Sequence, residues 1–167
     1  MTDLQLKVNS FLSTPPADAP LIVSAQWGKV RPVIMAMIAR ESNWNPWLER
    51  FEPAFQIKYL LDPPVKAEIE LFVKTCGFEV SFQTEQNGRA ISRGLMQVIG
   101  QSVRELGYNG PLGMLFDPIV NVTWGLRLLA KKFQQCGNDP VKTLLAWNGG
   151  GNPNYPAEVL QLAQQFT

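Results

Sequence analysis

The stretch GKVRPVIMAMIARESNWNP, Gly28 to Pro46, contains one of the most apolar runs in the chain and closes it with a carboxylate, Glu41. Pro32 suits the first turn of a helix, where its missing N–H costs nothing. A helix is therefore predicted to open there, after a shorter one from Leu21 to Trp27 that ends near Gly28. The residues after Pro32 are apolar on every side of that helix, which marks it as buried. Glu41 shares a face with Ile34, Met37 and Ile38. It also sits near the helix C-terminus, where the dipole disfavours negative charge. Burial and dipole both push a carboxyl pKa upward, and a proton retained at neutral pH is what a general acid needs. The other reading is a solvated glutamate on a frayed last turn, and the stretch alone does not choose between them.

Around this stretch the composition is that of a folded domain. The chain has 167 residues, enough for one domain with one real core. It is 46% hydrophobic and 17% charged, which reads as globular. Fifteen basic residues against fourteen acidic ones give a net charge of +1, so no broad attraction to nucleic acid is expected. Histidine is absent, which excludes Ser-His-Asp and Cys-His catalysis and imidazole-held zinc. Cys76 and Cys136 have no CxxC spacing; two isolated buried thiols are expected rather than a disulfide. The N-terminus, MTDLQLKVNSFLSTPP, lacks a secretory signal pattern. No apolar run approaches the roughly 20 residues of a membrane span. Neither a signal peptide nor stable membrane insertion is expected, and the chain as given has no export route of its own.

The pattern is mostly helical. Leu4, Leu6, Val8, Phe11 and Leu12 predict a short amphipathic helix, broken by TPPADAP. A helix is expected from Val65 to Cys76, a short strand over Phe78–Phe82, and a helix from Leu95 to Leu106 stopped by Gly107. Asp117-Pro118 and Asp139-Pro140 each pair an N-cap with a first-turn proline. They open helices to about Gln135 and to Gly149-Gly150-Gly151. A last helix runs from Pro156 to Phe166.

Two further stretches could carry chemistry. In SRGLMQVIG, Ser92 to Gly100, Gly94 permits close backbone approach. Met96 offers a soft apolar contact and Gln97 a paired donor and acceptor. Such a set suits an amide-bearing sugar; the plainer reading is a loop-to-helix junction. In LLAWNGGGNPNY, Leu144 to Tyr155, Trp147 could stack on a sugar and Asn148 could bond a hydroxyl or acetamido group. A glycine-capped helix with a core tryptophan explains that stretch equally simply.

Taken in order, GKVRPVIMAMIARESNWNP, SRGLMQVIG, LFDPIVNVTWGLRLLAKKF and LLAWNGGGNPNY with its final helix resemble the lytic transglycosylases of the SLT type. The resemblance spans Leu21 to Phe166. It implies a mainly α, lysozyme-like single domain with at most a small strand element, a cleft, and no cofactor or metal. Residues 1–20 would be an N-terminal helix and linker, and 21–167 the domain, with an insertion at about 44–89. Glu41 matches the family's sole acid/base, and Ser42 the serine after it, thought to position the reacting sugar. Gly94, Leu95, Met96 and Gln97 match the Gly-Leu-Met-Gln motif lining the sugar subsites. Asn148 matches the asparagine of an Ala-Tyr-Asn motif, and Tyr155 the tyrosine opening the last helix. Trp147 departs from the usual tyrosine, losing a phenol hydrogen bond while keeping stacking. Arg93 replaces an aromatic or small residue. Phe51, Phe55 and Tyr59 either wall the cleft beside Glu41 or only pack the insertion.

What the resemblance implies is cleavage of peptidoglycan strands between N-acetylmuramic acid and N-acetylglucosamine, with a 1,6-anhydro product. The longer form carrying FEPAFQIKYL resembles a subgroup common in phages, prophages and mobile elements. A monomer is expected, made in the host cytoplasm. It would act on the cell wall after holin-dependent release or be carried in a virion. Two alternatives stay open: a goose-type lysozyme hydrolase with Glu49, Glu52 or Glu85 as a base, and a non-catalytic wall-binding or virion-structural protein.

Overall fold

The computed structural model describes residues 2–13 and 27–167. The TPPADAP break and the expected helix from Leu21, apart from Trp27, lie outside the described residues. Helix α1, Asp3–Phe11, starts at a reciprocal cap: Thr2 Oγ1 accepts from Gln5 N at 3.3 Å, and Gln5 Oε1 accepts from Thr2 N at 2.8 Å.

Helix α2 runs Trp27–Ser42, so two expectations need correction. Trp27 and Gly28 form its first turn rather than the end of an earlier helix, and Pro32 lies inside it. Proline fits helical φ; its interior cost of about 3 kcal/mol comes from a lost hydrogen bond and a ring clash. Packing of the following turns outweighs that cost: Ile34 to Ile38 are each at most 2% exposed and form the centre of the core.

After α2 the backbone takes two left-handed steps, Asn43 at φ 47° and Trp44 at φ 64°. They turn the chain into strand β1, Glu49–Phe51. A single turn, α3 (Pro53–Phe55), runs on as a π-turn, Gln56–Leu60. Helix α4, Pro63–Thr75, follows with two prolines in its first turn. The strand expected over Phe78–Phe82 does not form. Ser81 Oγ instead accepts from Thr84 N at 3.1 Å and caps α5, Phe82–Arg89; Phe78 to Ser81 have no ladder partner.

The sheet is three short antiparallel strands in the order β1-β2-β3, with β2 at Ile91–Arg93 and β3 at Val98–Ile99. Its register pairs Glu49 with Arg93, Arg50 with Ser92, and Arg93 with Val98. Residues 94–97 are the turn of the β2–β3 hairpin. The helix expected from Leu95 therefore begins five residues later, as α6, Gly100–Glu105.

The rest follows the cap signals. Helix α7, Pro118–Gln135, and helix α8, Pro140–Trp147, each begin with an aspartate accepting from two backbone N–H groups. Helix α9, Tyr155–Ala163, packs along α2 and ends in a 3-10 turn, Gln164–Phe166.

A buried ion cluster ties α4 and α5 to α6. Glu85 Oε1 accepts from Arg89 Nε at 2.9 Å and Arg104 Nε at 2.7 Å. Arg104 also lies 3.9 Å from the Phe72 ring centroid. Cys76 and Cys136 are free thiols, half-buried rather than buried. Among the described residues, no helix is long and apolar enough to cross a membrane.

Candidate active site

Glu41 occupies the last turn of α2, half-buried, with the apolar side of the helix below it. Burial pushes its carboxyl pKa above the ordinary value. The opposing influences are smaller: a hydrogen bond from Tyr155, the charge of Arg50, the Trp147 indole and the charge of Arg40. The Tyr155 hydroxyl donates to Glu41 Oε1 at 2.6 Å, joining residues 114 positions apart. Burial and the neighbouring carboxylate push the Tyr155 phenol well above its ordinary pKa, so it stays a donor.

The loop before α9 delivers that tyrosine. Asn148 caps α8, and its Oδ1 accepts from Asn152 N at 2.7 Å. Asn152 N–H donors hold Glu158 at 3.1 and 3.2 Å, and Glu158 accepts from Arg40 Nε at 2.8 Å. The loop is thus bonded back to α2 one residue before Glu41. Trp147, at the end of α8, has its indole among the smaller influences that favour the ionised form of Glu41.

Four of the expected site residues are turned inward. Ser42 is buried, and its Oγ donates to Ile38 O at 3.1 Å within its own helix. Leu95 and Met96 are 0% exposed and pack into the core. Met96 is tucked against Gly125, where an added Cβ would fall 2.3 Å from its sulfur. Gly94 has φ +71°, and a Cβ there would lie 2.3 Å from Asn121 Nδ2.

Asn121 is the residue that sequence reasoning missed. It is fully buried on α7 and clamps the 94–97 turn. Its Oδ1 accepts from Met96 N, and its Nδ2 donates to Arg93 O and Leu115 O, each at 2.8 Å. A polar residue on an otherwise apolar helix face was the available signal. Gln97, at φ 48°, donates from Nε2 to Leu48 O at 3.0 Å and Gly94 O at 2.9 Å. Its buried Oε1 has no hydrogen-bond partner.

The three glutamates weighed as alternative bases separate clearly. Glu85 is locked in its double ion pair. Glu49 faces Arg93 at 3.6 Å. Glu52 accepts from Arg50 Nε at 2.6 Å and Ser92 Oγ at 3.1 Å, which ties it to a residue acting on Glu41. Phe55 packs on Tyr59 with ring centroids 4.8 Å apart, a contact within the 44–89 segment itself. Phe51 is largely exposed. Among the described residues, no group of three or more His, Cys, Asp or Glu is placed to hold a metal ion.

The motif order can now be set beside known proteins. A family model described as "Transglycosylase SLT domain" matches residues 66–161, more than half of the chain. The match begins within the 44–89 segment and leaves Glu41 outside it. Comparison with curated proteins, and with solved structures, gives no match.

Proposed function

Because the chain belongs to the transglycosylase SLT domain family, we propose that Glu41 is its single acid/base and that the product is 1,6-anhydromuramic acid. The family comprises peptidoglycan lytic transglycosylases, so the chain is an enzyme acting on peptidoglycan. The observation supporting Glu41 is the 2.6 Å hydrogen bond from Tyr155 to a carboxyl whose pKa is raised by burial.

Glycosidases generally use two carboxylates, an acid and a base or nucleophile. One suffices here if the substrate supplies its own nucleophile. Protonated Glu41 gives its proton to the glycosidic oxygen between N-acetylmuramic acid and N-acetylglucosamine. As that C1–O bond breaks, positive charge develops at the muramoyl C1, where the 2-acetamido group assists. Glu41, now a carboxylate, takes the proton from the C6 hydroxyl of the same sugar. The C6 oxygen bonds to C1 and closes the anhydro ring. A tethered nucleophile can reach an effective concentration on the order of 10⁵ M or more. Tyr155 holds one carboxyl oxygen, leaving the other to exchange protons.

We further read residues 44–89 as an insertion beside the cleft. The resemblance of the longer form carrying FEPAFQIKYL to a phage and prophage subgroup supports a lysis role there, with holin-dependent release or virion carriage. Purified peptidoglycan tests the core of the reading. Glu41→Gln is expected to lose about 10²–10⁴-fold in cleavage rate while keeping its circular dichroism; near-wild-type activity would sink it.

A further inference from the structure

We infer that Trp47 is a sugar-stacking platform, holding one ring of the peptidoglycan strand at a subsite away from the bond being cleaved. The inference rests on the peptidoglycan substrate of the function proposed above, not on which residue is the acid/base. Trp47 stands one residue beyond the first of the four motifs.

Trp47 is the most exposed large apolar side chain among the described residues, at 71%. A lone exposed apolar residue is ordinary on a protein surface; this one is also held in place. Trp47 N donates to Asn45 Oδ1 at 3.0 Å. The next residue ties the segment to the 94–97 turn: Leu48 O accepts from Gly94 N at 2.9 Å and from Gln97 Nε2 at 3.0 Å. The indole lies against Phe116, with ring centroids 5.7 Å apart and planes inclined by 35°. Phe116 is half-buried and lies 6.0 Å from the Arg93 guanidinium. One side of the indole is therefore backed by protein, and its exposure leaves the other side open. Its N–H has no protein partner among the described residues.

An aromatic face is negative. The β-1,4-linked pyranoses of the strand carry their substituents equatorially, so each ring face is a set of axial C–H bonds, apolar and slightly positive. The two surfaces match in shape and charge, and the free indole N–H can donate to a hydroxyl or acetamido oxygen. A protein partner would need about 800 Å² on each side. A single ring next to Asn45 and the Glu49–Arg93 ion pair suits a sugar, which offers C–H faces and hydroxyls together. Trp47 follows Glu41 by six residues, at most about 20 Å of extended chain. The bond from Asn45 N to Ser42 O at 2.9 Å shortens that path. A strand bound across Glu41 covers the distance within a few sugars. Holding the ring in advance lowers the ordering cost of binding.

The test separates binding from cleavage and uses the full chain with purified glycan strands. Calorimetry on Glu41→Gln, with and without a second change, measures Kd. Adding Trp47→Ala is expected to raise Kd about tenfold; Trp47→Phe, which keeps a ring face and loses the N–H, should raise it less. In the chain that retains Glu41, Trp47→Ala should raise KM by a similar factor with kcat and melting temperature little changed. An unchanged Kd and KM for Trp47→Ala overturns the platform and leaves the proposed function standing. A change in self-association with Kd unmoved also overturns it, and assigns the ring to a second copy of the chain. Near-wild-type cleavage by Glu41→Gln overturns the acid/base assignment alone, and the platform is then decided by KM.

Discussion

At Glu41, burial opposes the ionised form, while Tyr155, Arg50, Trp147 and Arg40 favour it, and burial is the larger influence. An acid that must be protonated loses activity as pH rises through its pKa. Tyr155→Phe removes a hydrogen bond to the carboxylate, so the Glu41 pKa rises further. The falling limb of the pH–rate profile is then expected at higher pH than in the wild type. A limb that stays in place would separate Tyr155 from the proton chemistry. Stability gives an independent reading. The folded pKa lies above the unfolded one, so the folded state holds the extra proton between them, and stability falls as pH rises across that interval. Glu41→Gln is therefore expected to melt progressively above the wild type as pH rises from about 4, then at a constant margin. Thermal melts at several pH values check this. Glu41 was conspicuous in the sequence because it ends an apolar run. Tyr155 was visible only through the family resemblance, since nothing local links it to a residue 114 positions away.

At the scale of elements, the 94–97 turn shows where helix periodicity misleads. Leu95 and Val98 fit a helix, yet the Arg93–Val98 pairing and the Asn121 clamp hold a hairpin. The clamp comes from a residue 25 positions from Met96, so local spacing carries no trace of it. Asn121→Ala would leave Met96 N, Arg93 O and Leu115 O without this partner. Each unsatisfied buried group costs about 1–3 kcal/mol, and the variant is expected to lose about 2–4 kcal/mol in denaturant unfolding. A loss under about 0.5 kcal/mol, the surface-substitution range, would mean the turn does not depend on the clamp. The Glu85 cluster plays the matching part for α4 and α5. Removing the anion leaves Arg104, nearly fully buried, without its carboxylate and Arg89 with that of Glu68 alone. Glu85→Gln is expected to destabilise by about 3–5 kcal/mol, measured the same way. Where caps are local, the sequence was a good guide. Asp117 and Asp139 bond their own helices' first N–H groups, and α7 and α8 begin where those dipeptides place them.

Across the whole molecule, residues far apart in sequence act on one carboxyl. Helix α2 contributes Glu41, β1 contributes Arg50, α8 ends in Trp147 and α9 begins with Tyr155. The mainly α class was legible from helix signals along the chain. The three-stranded sheet was not, because strands of two or three residues are too short for an alternation to register. The inward packing of Leu95 and Met96 was equally hidden: a motif names residues without saying which way they face. The account's central claim is that one carboxyl works with a nucleophile supplied by the substrate. Mass spectrometry of peptidoglycan digested by the wild type tests it most directly. The account predicts muropeptides ending in 1,6-anhydromuramic acid, absent with Glu41→Gln; products with free reducing ends, formed with uptake of water, would contradict it.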